Sequence, residues 1–230
     1  MSAAPEQPRP APVVEAQRLS LAGPEGPVFT DVSLAVEAGR ATVLVGPSGS
    51  GRSSLLLALC GRMRGTTGTL RTHGHDVRSG RDLRALRRTT SVARIAAFVL
   101  PEPRLSVAES IAERALLDGV RPAAGERAFA AAEELLEVHL DRSALVEQLV
   151  AYDRAALALG LARVRPADLV VLDDLDDDLD LTDQRRLVAG LVRLAGSGPA
   201  APAVLATTTE ERSAQPGALL VTLAPPQKVA

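Results

Sequence analysis

The segment Gly46–Ser54 constrains the fold of this chain more than any other part of its sequence. It lies between the apolar run Ala41–Val45 and the helix-like run Ser54–Leu59. Strand, glycine-rich loop and helix, in this order, are the context of a loop that binds phosphate. The glycines allow successive backbone N–H groups to point at one anion, and the helix N-terminus adds unpaired donors. The predicted phosphate contacts are Gly46, Pro47, Ser48, Gly49, Ser50, Gly51, Arg52, Ser53 and Ser54.

Arg52 departs from the pattern of such loops, which have lysine at this position. A lysine ammonium is a compact charge that reaches the terminal phosphates, whereas a guanidinium is a bulkier planar fork. Lys228 is the only lysine in the chain, so one interpretation is a general drift from lysine to arginine. The other interpretation is damage to the phosphate site, and the sequence leaves both open.

Composition limits the classes of protein to which the chain belongs. Its 230 residues are enough for one α/β domain with a sizeable core, and 46% are hydrophobic but only 2% aromatic, which predicts an aliphatic interior. A net charge of -2 gives no electrostatic attraction for nucleic acid. The single cysteine, Cys60, is predicted to be a buried, inert thiol in a cytoplasmic protein. We find neither a signal peptide nor a membrane-spanning apolar run.

Hydrophobic periodicity predicts a β-rich start, a helical middle and an alternating strand–helix end. The helical spacing extends over residues 106–163, and further helices are predicted at Leu181–Leu194 and around Glu210. This order indicates an α/β fold built on a phosphate-loop core. The predicted strands are Val13–Leu21, Val28–Val36, Ala41–Val45, Gly68–Thr72, Ala93–Val99, Leu169–Leu172, Ala203–Ala206 and Ala218–Leu223.

Asp173 follows the apolar strand Leu169–Leu172 and is the second element with a chemical role. A carboxylate at the end of such a strand lies at the same edge of a parallel sheet as the phosphate loop. We therefore predict that Asp173 and the hydroxyl of Ser53 hold Mg²⁺. The alternative is an exposed acidic loop after a buried strand, which suits Asp176–Asp178 well.

Further segments occur in an order typical of one family. Together with the loop and the Asp173 strand, they make residues 13–223 resemble the nucleotide-binding domain of ATP-binding cassette (ABC) transporters. The resemblance implies a P-loop NTPase core of ABC ATPase type, an N-terminal antiparallel β subdomain and a helical subdomain at about residues 101–165. Residues 1–12 are then a disordered leader and residues 224–230 a tail. The matching segments are Val32–Gly39, Gly65–Leu70, Gly74–Val77, Leu105–Ile111 and Asp177–Asp180.

The resemblance implies binding of ATP and Mg²⁺, but the positions that carry catalysis in the family are altered. Asp174 replaces the family's catalytic glutamate and is one methylene shorter, so it reaches the attacking water less well. Thr208 stands at the position of the switch histidine, and Pro101 stands at that of the Q-loop glutamine. The adenine-stacking aromatic would fall near Ala22, where the chain has none.

The family's signature motif, which binds the phosphate held by the opposite protomer, aligns with Leu149–Asp153. The serine and both glycines are missing, and Asp153 adds a charge that repels phosphate. Residues 149–163 are equally consistent with an ordinary amphipathic core helix, and we favour that interpretation.

We therefore expect an ABC-like ATP-binding subunit with eroded catalytic motifs, weak nucleotide binding and little hydrolysis. The resemblance implies a cytoplasmic, peripheral subunit at the inner face of the membrane, bound to a polytopic permease through residues 106–163. It also implies a homodimer or a heterodimer with another ABC ATPase. The alternative is an active ATPase subunit that powers a transporter. A nucleic-acid-binding module is disfavoured because charge and stacking aromatics are lacking.

Overall fold

A computed structural model describes residues 12–95 and 98–225. All but Pro12 of the predicted leader, and residues 226–230 of the predicted tail, lie outside the described residues. The strands are β1 (Pro12–Gly23), β2 (Gly26–Glu37), β3 (Ala41–Val45), β4 (Thr67–Thr72), β5 (His75–Asp76), β6 (Thr90–Arg94), β7 (Leu169–Leu172), β8 (Ala203–Thr208) and β9 (Ala218–Thr222). The helices are α1 (Arg52–Leu59), α2 (Gly80–Thr89), α3 (Val107–Leu117), α4 (Pro122–Leu136), α5 (Ala151–Ala162) and α6 (Leu181–Ala195), with short 3₁₀ turns at Val146–Gln148 and Glu211–Ser213.

The strands form two sheets. An antiparallel sheet has the order β2-β1-β4-β5, and a parallel sheet has the order β6-β7-β8-β3-β9. In the parallel sheet β3 pairs with β8 and β9, and β7 pairs with the other side of β8. The carboxyl ends of β3, β7 and β8 therefore lie along one edge, where ligands of open α/β sheets bind.

Aliphatic packing holds these layers together, as the composition predicts. Leu55 and Leu59 of α1 are fully buried with Phe29 of β2 in a cluster that joins the two sheets. The opposite face of the parallel sheet packs on α5 and α6 through residues such as Leu159 and Leu191. A separate cluster of side chains from the α3–α5 region includes Val107, Ile111, Phe129 and Leu157 and forms the core of the helical part.

Three features differ from the sequence-based expectation. The predicted strand Ala93–Val99 is wrong, because β6 ends at Arg94 and Ile95 forms an isolated antiparallel bridge with Val99. Helix α2 was not predicted, although Ser79 and Asp82 form a capping box at its start. The predicted helix 149–163 begins only at Ala151, after a separate 3₁₀ turn. Its spacing is apolar on both sides of that break, so periodicity alone could not locate the boundary.

Cys60 is buried, as the sequence predicts, and the three histidines lie at the surface. Cys60 is fully buried, and burial raises the pKa of its thiol to about 12, although Arg62 opposes the shift. The raised pKa keeps the thiol protonated and therefore inert. The histidines His73, His75 and His139 are all exposed, and His73 pairs with Asp168 across 2.9 Å. Across residues 12–95 and 98–225, the structure contains no helix long and apolar enough to cross a membrane.

Candidate nucleotide-binding site

The loop between β3 and α1 has the backbone shape that its sequence predicts. Gly49 and Gly51 both have positive φ, 80° and 86°, and Gly51 is the N-cap of α1. A Cβ atom at Gly51 would lie 2.3 Å from the carbonyl oxygen of Val28, and one at Gly46 would lie 2.7 Å from Ser50 Oγ. Glycine is therefore required at Gly51 by both conformation and space, and at Gly46 by space alone.

The loop is anchored to the neighbouring strand at the sheet edge. The backbone N–H of Gly46 donates to the carbonyl oxygen of Thr208 across 3.1 Å, so β8 fixes the point at which the chain leaves β3. Ser50 and Arg52 are buried, whereas Ser53 and Ser54 are partly exposed at the start of α1. Backbone donors at this helix N-terminus are free to bind an anion.

Asp173 is a fully buried carboxylate at the end of β7. Its Oδ1 accepts a hydrogen bond from Thr207 Oγ1 at 2.6 Å. Its Oδ2 is buried with no hydrogen-bond partner among the described residues. An unsatisfied, buried carboxylate oxygen is costly unless it is paired with a cation. This oxygen fits the ligand that Mg²⁺ prefers.

The described residues offer no cluster of three or more His, Cys, Asp or Glu side chains that could hold a metal by themselves. Mg²⁺ sites commonly use one or two carboxylates and complete the coordination with phosphate oxygens and water. Asp173 at the edge beside the loop therefore suits a cation that arrives with a phosphate ligand.

Arg52 is folded into the loop and is only 8% exposed. Its Nη1 donates to the carbonyl oxygens of Gly46 and Pro47, the second at 2.8 Å. Its Nη2 donates to Asp174 Oδ1 at 2.9 Å. The guanidinium thus spans the gap between the phosphate loop and the carboxyl end of β7.

Asp174 is held in place from several directions. Its backbone has a positive φ of 45°, its N–H donates to Thr207 Oγ1 at 2.8 Å, and its carbonyl oxygen accepts from Arg94 Nη2. The carboxylate is about one-third exposed and forms an ion pair with Arg52. In this arrangement one carboxylate oxygen, Oδ1, is engaged by the Arg52 guanidinium.

Thr208, the predicted switch position, is fully buried. Its Oγ1 accepts a hydrogen bond from the backbone N–H of Glu210 at 2.9 Å, next to the 3₁₀ turn Glu211–Ser213. A threonine hydroxyl occupied in this way stabilises the local turn and lacks the titratable nitrogen of a histidine.

Two residues at this edge were missed by sequence reasoning. Thr207 bridges the two neighbouring aspartates, since its hydroxyl donates to Asp173 and accepts from the Asp174 N–H. Arg94, 7% exposed at the end of β6, donates to the carbonyl oxygens of Asp173 and Asp174 and lies 3.4 Å from Asp177. Neither residue belongs to a motif, so only the strand order reveals their roles.

The first turn of α5, which aligns with the signature motif, is packed into the core on one side. Tyr152 is buried, donates from its hydroxyl to the carbonyl oxygen of Leu136 at 3.1 Å, and has Arg186 over its ring at 4.0 Å. Burial raises the pKa of Asp153, with Arg186 and Asp183 of α6 as its charged neighbours. Val150 at the N-cap is 64% exposed. This turn serves the packing of α5 on α6, as the core-helix interpretation expects.

A cleft of about 320 Å³ lies between the sheet edge and the helical part, near the predicted Q-loop position. Pro101 lines it and supplies neither a side-chain amide nor a backbone N–H. At the adenine position, Ala22 is exposed while Phe29 is buried in the core, so Phe29 offers no stacking surface. The other lining residues of the cleft are Arg94, Leu100, Pro103, Val146, Glu147, Arg154, Asp177 and Asp178.

Comparison with known proteins establishes the family. The sequence profile of the ABC transporter family matches residues 29–176, which is more than half of the chain. The chain belongs to the ABC transporter family. This confirms the predicted resemblance. Among solved structures, the dimeric ABC transporter cassette MJ0796 superposes with a TM-score of 0.74 at 17% identity, covering 92% of this chain and 94% of that one. The fold is therefore that of an ABC-type P-loop ATPase, as predicted.

Two curated relatives illustrate the range of ABC proteins that the chain resembles. It is 31% identical over 200 residues to the mycobactin import ATP-binding/permease protein IrtB of Mycolicibacterium smegmatis, covering 82% of this chain but only 33% of that protein. It is 29% identical over 210 residues to the hemin import ATP-binding protein HmuV of Nitrobacter winogradskyi, covering 84% of this chain and 73% of HmuV. The chain thus corresponds to the ATP-binding part of an ABC transporter and spans a third of the length of IrtB.

Proposed function

We propose that this protein is an ABC-transporter ATP-binding subunit that binds nucleotide weakly and hydrolyses it slowly or not at all. The observation that carries the proposal is Arg52, whose guanidinium lies inside the phosphate loop and pairs with Asp174 at the position of the catalytic base. The loop backbone is intact, but the two groups most needed for phosphate binding and water activation neutralise each other.

Nucleotide binding is assigned to the loop and the N-terminus of α1. The N–H groups of Gly46 and Ser50 donate to carbonyl oxygens of the protein and Pro47 has none, so the phosphates are assigned to the other backbone N–H groups of the loop and of the first turn of α1. The positive end of α1 favours their charge. Ser53 and Asp173 hold Mg²⁺, and the buried Asp173 Oδ2 without a partner among the described residues supports this assignment. When bound, the cation neutralises charge on the phosphate oxygens. A solved structure of MJ0796, bound to ADP and Pi, supports a nucleotide ligand for this fold.

Slow hydrolysis follows from the state of the remaining catalytic positions. A general base must contact the attacking water, but the Asp174 carboxylate contacts Arg52. Thr208 uses its hydroxyl within its own turn, and Pro101 has no amide to offer. Phosphoryl transfer depends on several such groups acting together, so their combined loss costs more than any single change.

A second function, an active ATPase subunit, is supported by the unaltered glycines of the loop and by the orphaned Asp173 oxygen. Titration of the purified protein with MgATP, followed by a turnover assay, separates the two. We expect measurable but weak binding, with Kd well above the submicromolar range, and hydrolysis at background. Mg²⁺-dependent turnover near roughly 1 s⁻¹ that is lost in Asp173→Asn would establish the active ATPase instead.

The proposed partner is a polytopic permease at the inner face of the cell membrane, with the chain as a cytoplasmic peripheral subunit, alone or paired with a second ABC ATPase. The names of HmuV and IrtB, and the MJ0796 dimer, support this context. Exposed apolar side chains near the Q-loop position and on α3 supply a candidate docking surface: Phe98, Leu100, Leu116 and Leu117.

Docking is tested by purification from membranes. We expect a membrane protein to co-purify with the chain, and Leu117→Asp to release it, whereas Leu219→Asp, at an exposed apolar residue of the edge strand β9 and outside residues 106–163, retains it. Recovery of the chain only as a free monomer, unchanged by ATP, would contradict the permease proposal.

A further inference from the structure

Arg52 and Asp174 are two of the positions at which the phosphate site departs from its family, and the structure joins them in one contact. They are 122 residues apart in sequence, yet Arg52 Nη2 lies 2.9 Å from Asp174 Oδ1. The guanidinium donates to two loop carbonyls through one nitrogen and to Asp174 through another. A lysine ammonium has only one nitrogen and could not span both contacts. The contact therefore depends on arginine.

Contacts within the protein hold both partners in place. Arg52 is 8% exposed, and its Nη1 is anchored on the carbonyl oxygens of Gly46 and Pro47. The Asp174 backbone is held by Thr207 through its N–H and by Arg94 through its carbonyl oxygen. The carboxylate is thus presented to the guanidinium by a rigid frame and loses little conformational entropy in forming the pair.

We infer that Asp174 is an internal competitor of nucleotide phosphate: it occupies the outer nitrogen of Arg52, so that phosphate binds only after the Asp174–Arg52 contact breaks. This inference rests on the proposed nucleotide-binding function. At the position where the family has its catalytic base, Asp174 is then a positioning residue that lowers phosphate affinity by holding Arg52. The two departures from the family pattern, arginine at position 52 and aspartate at position 174, are then explained together, because the two side chains form one ion pair.

The test is titration of the purified protein with MgADP, which avoids any effect of hydrolysis or of a phosphate shared between protomers. Asp174→Asn removes the competing charge, so that Arg52 keeps at most a neutral hydrogen bond to residue 174. We expect about tenfold tighter MgADP binding, the effect of removing one charge-assisted hydrogen bond from the competing state. Asp174→Glu keeps a carboxylate and is expected to bind as weakly as the natural protein.

Asp177→Asn is the matched control for general electrostatics. It removes the same charge from the same loop, but Asp177 is exposed and its contact is with Arg94, 3.4 Å away. We expect it to change MgADP affinity by less than about twofold in 0.15 M salt, because exposed charges are screened.

Arg52→Lys tests the route through Arg52. We expect it to tighten binding by itself and to reduce the gain from Asp174→Asn to less than about twofold. Urea denaturation of each variant separates loss of folding from loss of competition, and only variants that unfold with a cooperative transition like that of the natural protein are compared.

The outcomes distinguish the inference from the function on which it rests. In one case the natural protein binds MgADP, but Asp174→Asn raises the affinity no more than Asp177→Asn does, or raises it by the same factor in the Arg52→Lys background. Asp174 then does not compete with phosphate, and only the inference is overturned. If none of the variants binds MgADP at millimolar concentration, the proposed nucleotide binding is wrong and the inference is overturned with it.

Discussion

At the scale of single residues, Asp173 is the side chain whose surroundings are most unusual. It is fully buried, one oxygen accepts from Thr207, and the other has no partner among the described residues. A buried charge with an unsatisfied oxygen destabilises a folded protein, so its presence points to a ligand that compensates for it. The residue is thus poised for a cation at the expense of stability.

We therefore predict opposite effects of Asp173→Asn on stability and on binding. Because the amide removes a buried charge while its oxygen still accepts from Thr207, the free energy of unfolding without ligand should stay equal or rise by about 1 kcal/mol. The increase in ADP affinity that Mg²⁺ provides should disappear. Urea denaturation and titrations with and without Mg²⁺ measure the two effects.

Asp168→Asn is the control, since Asp168 precedes the same strand but pairs with the exposed His73 at the opposite end. It should leave the Mg²⁺ effect unchanged. A Mg²⁺ effect that survives in Asp173→Asn would remove Asp173 from the cation site.

At the scale of elements, the loop between β3 and α1 is defined by how closely β2 approaches it. Gly51 has almost no room for a side chain because the carbonyl oxygen of Val28 is in the way, whereas Gly49 has the same left-handed conformation with nothing within 4 Å of a Cβ atom. The antiparallel sheet thus shapes the phosphate loop from outside.

Gly51→Ala and Gly49→Ala separate conformation from space. Gly49→Ala should cost about 1 kcal/mol of stability, the strain of a left-handed alanine. Gly51→Ala adds a clash with backbone, so we expect a loss of more than about 3 kcal/mol and no detectable nucleotide binding. Thermal or urea denaturation measures stability, and equal losses in the two variants would contradict the packing argument.

At the scale of the whole molecule, carboxylates with lowered pKa are distributed along most of the chain. Glu133 of α4 is buried; burial alone would raise its pKa, but Arg142 and the N–H of Leu140 lower it below the usual range. Hydrogen bonds to Arg212 lower the pKa of Glu210 to about 2. The carboxylates with lowered pKa values are Asp76, Asp82, Glu109, Glu133, Asp141 and Glu210.

These shifts predict loss of stability in acid. Because the folded pKa values lie below those of the unfolded chain, the unfolded state binds more protons in between, and stability falls as pH drops. The stabilisation should be fully present above the unfolded values of about 4 and be lost below them. Urea denaturation between pH 7 and pH 3 measures this, and equal stability at both ends would contradict it.

Glu133→Gln provides the matched comparison. We expect it to cost about 2 kcal/mol at pH 7, where the ion pair with Arg142 is lost, and less as the pH falls through the lowered pKa of Glu133 in the folded protein. A difference from the natural protein that is constant with pH would show that Glu133 acts through packing alone.

The sequence by itself determined the family and the order of most of the elements, although helix α2 was not among them. The glycine loop between β3 and α1, and the apolar strand before Asp173, are local patterns, because each depends on residues adjacent in the chain. The burial of Cys60 was also predicted, because cysteine is usually buried and Cys60 ends an apolar run. The end of β6 and the start of α5 were not determined locally, since apolar spacing continues across both boundaries.

Only the tertiary structure decided what the altered residues do. Arg52 meets Asp174 from 122 positions away, and Arg94 reaches the carbonyl oxygen of Asp174 from 80. Such contacts depend on the order of strands in the parallel sheet, which brings the ends of β3, β6, β7 and β8 to one edge. A sequence shows which charges are present, but their pairing is set by distances in the fold, because Coulomb energy and hydrogen bonding depend on separation in space.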